Sequence, residues 1–286
     1  MTIEEQEHRA SVEAVRRRRE ERLRDPEGWL SLVGLHWLHD GENRFGSDQA
    51  HEVPLAGQSG AVPALAGSIT VTAGRATATA EPGAGVTVVD GPLPDGLELV
   101  DDTADEPTVL ALGSLRFYLV RRGERLGIRV KDRAAPAIAA FGGLDYFPFD
   151  PRWRLAARLE PAPPGTTIPV PDVLGDVDAD DSPGVVAFAH DGEVHRLHAL
   201  EAQPGHLWLI FADATNGDET YGGGRFLVTG PVQPDNIVEL DFNLTYNPPC
   251  VFSPYATCPL PPEGNRLPMR VEAGEKTYGP GQPPLV

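Results

Sequence analysis

The chain has 286 residues, a net charge of −18 and 41% hydrophobic residues, which is long enough for one large or two small domains with a buried core. The acidic excess argues against nucleic acid as a partner, because phosphate binding needs clustered lysine and arginine. No apolar run has the length of a membrane span, and no signal core follows the N-terminal charges, so we expect a cytoplasmic protein without membrane attachment.

The first predicted element is a helix over residues 3–24, rich in Glu, Arg and Ala, which Asp25-Pro26 ends. Its basic run, Arg16–Arg19, lies among glutamates. This arrangement predicts a salt-bridged helix face rather than a phosphate-binding site.

An apolar cluster follows the helix, from Trp29 to Leu38. It predicts a short helix or turn and then a strand that enters a hairpin around Asp40-Gly41. Residues 50–132 carry only strand signals, which are short alternating or β-branched segments separated by Gly, Pro and Asp turns. Such spacing is typical of a sandwich or barrel.

The second half begins after an aromatic-rich segment, residues 136–161, and we place the boundary near residue 150. A Pro- and Asp-rich segment, residues 161–184, is expected at the surface. Two strands then flank Asp191-Gly192, the strongest short hairpin signal, and three more strands follow. No strand–helix–strand alternation occurs, which argues against a parallel α/β fold.

These patterns predict a mainly β protein with three parts. An N-terminal helix occupies residues 1–27, an antiparallel β-sandwich-like half residues 28–150, and a second antiparallel β-barrel or sandwich half residues 151–286. The last part includes a Pro-rich C-terminal block, residues 241–275. That block holds both cysteines, several polar side chains and seven prolines, and proline-stiffened backbone of this kind is suited to holding a site.

The C-terminal block, DFNLTYNPPCVFSPYATCPLPPEGNRLPMRVEAGE, resembles a bacterial and archaeal family known only as a domain of unknown function, number 1684 in that series. Three further segments share the resemblance: DATNGDETYGGGRFL, FGGLDYFPFDPRW and GWLSLVGLHWLHDGENRFG. The likeness runs nearly end to end, from about Gly28 to Glu275. Because the family has no established activity, it marks positions without assigning roles.

A fainter likeness concerns residues 41–132, whose layout resembles forkhead-associated phosphopeptide-binding sandwiches. Those domains use an Arg after a Gly and a Ser-x-x-His turn. Here Ser47 follows Gly46 and no Ser-x-x-His occurs, so the likeness implies a sandwich and not phosphothreonine binding.

Two polar motifs are candidates for a site. Asp213 and Arg225 flank a Gly-rich loop and could hold an anionic or polar ligand, or form a structural pair that closes a long hairpin. In DFNLTYN, an extended strand would place Asp241, Asn243 and Thr245 on one face. That face could line a ligand cavity or lie in solvent.

Other chemistry is less favoured. Cys250 and Cys258 lack a nearby His, and we interpret them as buried apolar fillers rather than as a nucleophile, a disulfide or a zinc site. Glu272 and Glu275 are further acid–base candidates. The histidines suggest no shared metal site, and we expect neither a metal ion nor a cofactor.

We therefore predict a site where the second half's strands meet the C-terminal block, lined by Asp213, Tyr221, Arg225, Asp241, Asn243, Tyr246 and Asn247, with Arg129 reaching in from the first half. Arg225 would orient an anionic or carbonyl group, and Asp241 or Asp213 would act as the base.

Two functions fit these expectations, a small-molecule enzyme that is a metal-independent hydrolase, and a protein that binds a small ligand or phospho-ligand without turnover. A purely structural domain that pairs with itself, for example as a homodimer, stays open.

Overall fold

The computed structural model describes residues 2–57, 62–88 and 91–279. The protein is mainly β, as predicted, with a long N-terminal helix. The helix α1 spans Ile3–Arg24. It begins with a capping box, in which the Thr2 amide donates to Glu5 Oε2 at 2.7 Å and the Glu5 amide donates to Thr2 Oγ1 at 3.1 Å. No described helix is long and apolar enough to cross a membrane.

The chain forms two compact units. We call Arg22–Phe141 the middle unit, and we call Met1–Glu21 together with Gly142–Val286 the split unit. The first 21 residues therefore group with the second half of the chain, so that α1 begins in the split unit. The predicted boundary near residue 150 lies shortly after the observed division.

The middle unit contains two sheets. Its elements are a 3-10 turn at Trp29–Ser31, β1 (Leu32–Trp37), β2 (Gly41–Gly46), β3 (Val53–Pro54), β4 (Gly67–Thr72), β5 (Arg75–Ala80), β6 (Thr87–Val88), β7 (Gly91–Pro92), β8 (Leu97–Glu98), β9 (Val109–Leu112), β10 (Leu115–Arg122), β11 (Arg125–Asp132) and α2 (Pro136–Ala140). One sheet has the order β1-β11-β10-β9-β6-β7 and the other β3-β2-β4-β5-β8. Residues of both sheets share one core, for example Phe45, Ile69 and Phe117, so the unit is sandwich-like.

The hairpin predicted around Asp40-Gly41 does not form. Strand β1 pairs with β11, whereas β2 pairs with β3 and β4, so the chain passes from one sheet to the other. The Asn43 side chain explains the change of direction. Its Oδ1 accepts from the His39 amide at 3.0 Å and its Nδ2 donates to the His39 carbonyl at 2.8 Å, which fixes the intervening turn.

The split unit contains a six-stranded antiparallel sheet and a separate hairpin. Its strands are β12 (Arg154–Pro161), β13 (Thr167–Pro171), β14 (Val177–Asp181), β15 (Gly184–His190), β16 (Glu193–Gln203), β17 (His206–Phe211), β18 (Arg225–Pro231) and β19 (Ile237–Asp241), with 3-10 turns at Pro151–Trp153, Phe242–Leu244 and Pro249–Val251. The main sheet has the order β18-β17-β16-β15-β12-β19. Its two end strands, β18 and β19, contact each other, so the sheet is a nearly closed barrel.

Local turn chemistry sets much of this register. Asp191 and Gly192 both have positive φ, 48° and 83°, which joins β15 to β16 as the sequence predicts. The Pro- and Asp-rich segment predicted at the surface forms the hairpin β13–β14. The barrel interior is filled by apolar side chains such as Phe188, Phe211 and Phe242.

Candidate functional site

A histidine–aspartate pair joins the start of α1 to the end of β19. His8 Nε2 lies 2.6 Å from Asp241 Oδ2, and the two side chains are 7% and 6% exposed. The His8 ring also packs edge-on against Phe149, with the ring centroids 4.8 Å apart. The ring and one nitrogen of His8 are thereby held by residues of the split unit.

The Asp241 carboxylate is oriented by Asn243. Its Oδ1 accepts from the Asn243 amide at 3.0 Å and from Asn243 Nδ2 at 2.9 Å. Asn243 is held in turn by Asp150, whose backbone amide donates to Asn243 Oδ1 at 3.1 Å and whose carbonyl accepts from Nδ2 at 2.9 Å. Asp241 is therefore a well-anchored acceptor that faces His8.

The local backbone differs from the extended strand that DFNLTYN predicts. Strand β19 ends at Asp241, and Phe242–Leu244 form a 3-10 turn. The alternation that would place Asp241, Asn243 and Thr245 on one face is therefore wrong. The physical reason is the bond from the Asn243 amide to Asp241 Oδ1, a local side-chain bond that competes with strand pairing.

His8 lines a pocket of about 810 Å³, which we call the His8 pocket. The N-terminal turns of α1, the strand β12 and the β18–β19 connection form its wall, with the residues Thr2, Glu4, Glu5, His8, Pro151, Arg154, Leu155, Ala156, Gly230, Pro231, Gln233, Ile237, Val238 and Glu239. His8 therefore contacts Asp241 through Nε2 and also belongs to the lining of the pocket.

The charge of the His8 pocket is negative. Three glutamates line it, Glu4, Glu5 and Glu239, against one arginine, Arg154. Arg154 Nε donates to Glu239 Oε2 at 2.7 Å, and this hydrogen bond raises the pKa of the arginine. Because Glu239 already neutralises Arg154, the remaining carboxylates favour neutral or cationic ligands over anions.

A second polar cluster surrounds Glu275, which is 1% exposed. Arg19 Nε donates to Glu275 Oε1 at 3.1 Å, and Arg19 Nη2 donates to the Asn247 carbonyl at 2.8 Å. The Asn247 amide donates to Glu275 Oε2 at 2.8 Å. Burial raises the pKa of Glu275, although the neighbouring Arg19 opposes that shift.

Two residues of the basic run of α1, Arg16 and Arg19, take part in this cluster, and Arg19 forms an ion pair with Glu275. The Arg16 guanidinium lies 4.3 Å from the Tyr146 ring centroid, and that of Arg19 lies 5.0 Å from the Tyr246 ring centroid. Burial lowers the pKa of Arg16. Four buried polar atoms here have no partner among the described residues: Arg16 Nε, Tyr146 Oη, Thr245 Oγ1 and Asn247 Oδ1.

Asp213 and Arg225 do pair, as their spacing predicts, but both side chains are 0% exposed. Arg225 Nη2 donates to Asp213 Oδ2 and to the Val271 carbonyl, and Nη1 donates to the Ala273 carbonyl at 2.7 Å. Burial lowers the pKa of Arg225. The geometry favours the structural alternative, a pair that fastens the C-terminal segment to β18.

The other predicted residues are distributed around these clusters. Tyr221 is buried and its hydroxyl lies beside the Cys250 thiol, and burial raises the pKa of this tyrosine. Arg129 belongs to the middle unit, where its guanidinium lies 3.9 Å from Asp102 and 6.0 Å from the Trp29 ring centroid. No group of three or more His, Cys, Asp or Glu side chains in the described part of the chain could hold a metal ion.

Residues 139–276 match the family model described as "Protein of unknown function (DUF1684)". This segment of the chain is similar to the DUF1684 family. The segment contains Asp241, Asn243, Asn247 and Glu275, whereas His8 and Arg19 of α1 lie outside it. The DUF1684 segment therefore includes one side of each polar cluster, and α1 supplies the other.

Among solved structures, the chain is similar to an uncharacterized protein of Haloarcula marismortui determined by solution NMR. The two are 34% identical over 49% of this chain and 78% of that chain, with a TM-score of 0.41. No curated protein matches the chain.

His8, Arg16 and Arg19 are the residues that sequence reasoning missed. The sequence contained one signal that could have found them. One face of α1 is marked by residues at helical spacing, namely His8, Val12, Arg16 and Arg19. Val12 on that face is 2% exposed, so this is the face that the split unit buries.

Proposed function

We propose that this protein processes a small molecule in the His8 pocket, as a metal-independent hydrolase in which His8 is the general base. The observation that supports this most directly is the His8–Asp241 pair at the pocket wall. A histidine that a carboxylate orients beside a cavity is an arrangement that general-base catalysis uses.

The hydrogen bonds of the pair support the following roles. Asp241 already accepts two bonds from Asn243, so it also acts as the acceptor for the Nε2–H of His8. That tautomer leaves the Nδ1 lone pair free to take a proton from a water molecule in the pocket. Asp241 then stabilises the imidazolium that forms. Asp241 is thus an orienting group in this proposal, and His8 takes the role of base that sequence analysis assigned to Asp241 or Asp213.

The pocket charge narrows the substrate class. With Glu4, Glu5 and Glu239 at the wall, a neutral or cationic ester or amide is favoured over a phosphorylated or carboxylated molecule. A volume of about 810 Å³ is within the range typical of small-molecule sites.

The alternative is a protein that binds a small ligand without turnover. In the Glu275 cluster, outside the lining of the His8 pocket, the buried atoms Tyr146 Oη, Thr245 Oγ1 and Asn247 Oδ1 have no partner among the described residues, which supports this alternative because buried polar groups normally have one. The negative pocket argues against the phospho-ligand form of this alternative.

A screen of chromogenic esters and amides, neutral, cationic and anionic, tests the proposal. We expect turnover of neutral or cationic substrates, and a fall in kcat/KM of about 10²–10⁴-fold in both His8→Gln and Asp241→Asn. His206→Gln, at the half-buried start of β17 and outside the pocket lining, is the control and keeps full activity. Turnover that survives in His8→Gln contradicts the proposal. No turnover, together with a small molecule retained in the native mass spectrum, selects the binding alternative.

We further propose that the likeness to the family reaches N-terminally to about Gly28, that related chains occur in bacteria and archaea, and that the protein works in the cytoplasm with a small molecule as its partner. The length of the motifs quoted above supports the first two points. The two buried free thiols fit a reducing compartment.

A further inference from the structure

The chain's two cysteines lie against each other in the Pro-rich block. Cys250 is 5% exposed and Cys258 is 3% exposed. The Cys250 amide donates to Cys258 Sγ at 3.1 Å. The Cys258 sulfur therefore lies next to the backbone of the residue that carries the other thiol.

The backbone on both sides is held in place. The 3-10 turn Pro249–Val251 fixes Cys250, and the Val251 amide donates to the Pro248 carbonyl at 3.1 Å. The carbonyl of Cys258 accepts from the Val173 amide at 3.0 Å, which ties that end to the β13–β14 connection. Because the backbone next to each cysteine is hydrogen-bonded, the fold itself holds the two residues next to each other.

We propose that Cys250 and Cys258 form a reversible redox pair that a small peroxide oxidises to an intramolecular disulfide. Cys250 is the residue that reacts with the peroxide first. The neighbouring Cys258 thiol lowers the pKa of Cys250, against the opposing effect of burial, and so favours its thiolate. A small oxidant is required because both thiols are buried and a bulky disulfide would not reach them.

The chemistry takes two steps. The Cys250 thiolate attacks one peroxide oxygen, the O–O bond breaks, and the leaving hydroxide takes up a proton to give water and a Cys250 sulfenic acid. The Cys258 sulfur then attacks Cys250 Sγ, the S–S bond forms, the S–O bond breaks, and the second water leaves with the Cys258 proton. Overall, two thiols are oxidised to one disulfide while one hydrogen peroxide is reduced to two waters.

The test treats native full-length protein with hydrogen peroxide, quenches the reaction, denatures the protein, alkylates free thiols and maps the peptides by mass spectrometry. We expect both thiols to disappear together, a Cys250–Cys258 linked peptide to form, and dithiothreitol to restore both thiols. Thiols that stay alkylatable, or that become sulfinic acids or intermolecular disulfides without the linked peptide, overturn the proposal.

Two variants assign the order of attack, with near-ultraviolet circular dichroism as the check on folding. In Cys258→Ser the reaction should stop at a Cys250 sulfenic acid that dimedone traps, whereas in Cys250→Ser dimedone labelling should be lost. Urea-unfolded wild type is the geometric control, and it should form the linked peptide more slowly than native protein. Equal rates in the native and unfolded states contradict a pair preformed by the fold.

Discussion

His8 and Asp241 are 233 residues apart in the chain, yet His8 Nε2 and Asp241 Oδ2 are 2.6 Å apart in the split unit. This bond joins the first turns of α1 to the end of β19, and it places the histidine at the wall of a pocket. The helix is therefore part of the candidate site, although it lies outside the DUF1684 segment.

Replacing Asp241 by Asn should change the tautomer of His8. The amide that replaces the carboxylate can donate to Nε2, and the proton of the ring then moves to Nδ1, which abolishes the base. ¹⁵N NMR of the His8 imidazole measures this directly without a substrate. Asp191→Asn, whose side chain is 93% exposed, is the control and should leave the His8 signals unchanged. An unaltered Nε2–H signal in Asp241→Asn would show that the carboxylate does not set the tautomer.

The carboxyl of Glu275 should make stability depend on pH. Because burial raises its pKa above the ordinary 4.5, the folded state favours the protonated form. The stability that protonation adds is fully present below pH 4.5 and is lost as pH rises through the raised value. Glu275→Gln cannot titrate, so the free energy of unfolding of wild type relative to this variant should fall as pH rises above 4.5.

Urea unfolding of both proteins across that pH range checks the sign, with exposed Glu272→Gln in the same segment as the control. If the free energy of unfolding of wild type relative to Glu275→Gln rises with pH, the ion pair with Arg19 has a larger effect on the Glu275 carboxyl than burial has.

The Asp213–Arg225 pair should contribute to the stability of the fold and take no part in ligand binding or catalysis. Asp213→Asn leaves the guanidinium of Arg225 buried without its counter-charge, which we expect to cost about 3–5 kcal/mol of the free energy of unfolding. Asp218→Asn on the same loop, whose side chain is 76% exposed, should change stability by less than about 0.5 kcal/mol. Urea denaturation compares the two. Wild-type stability in Asp213→Asn, combined with lost turnover, would restore the ligand-binding role that the sequence left open.

Gly274 should be intolerant of a side chain for two separable reasons. Its φ is +79°, and a Cβ there would lie 2.4 Å from the Thr245 carbonyl oxygen. Gly205 has the same φ, but no atom lies within 4 Å of its Cβ position. Gly205→Ala should therefore cost only the left-handed backbone penalty, about 1 kcal/mol. Gly274→Ala should cost about 3 kcal/mol, because it also pushes apart the backbone that holds Glu275.

Thermal or urea denaturation of the two glycine variants isolates the contribution of the close contact. If both variants lose the same stability, the left-handed backbone accounts for the whole effect. If only Gly274→Ala loses stability, the close contact with Thr245 accounts for it.

The sequence by itself determined the elements whose causes are local. Asp191-Gly192 specifies its own hairpin because both residues adopt positive φ there, and the glutamate- and arginine-rich start specifies α1. Sequence spacing also identified Asp213 with Arg225 and singled out Asp241, Asn243 and Asn247 as candidate site residues.

Only the tertiary structure decided what these residues face. Whether Arg225 meets a ligand or Asp213 and two carbonyls depends on its burial, which no local pattern encodes. The partners of Asp241 and Glu275, His8 and Arg19, come from a helix more than 200 residues away. Such contacts form because the split unit buries one face of α1. In the sequence, this long-range packing is visible only as a weak helical periodicity of the buried residues.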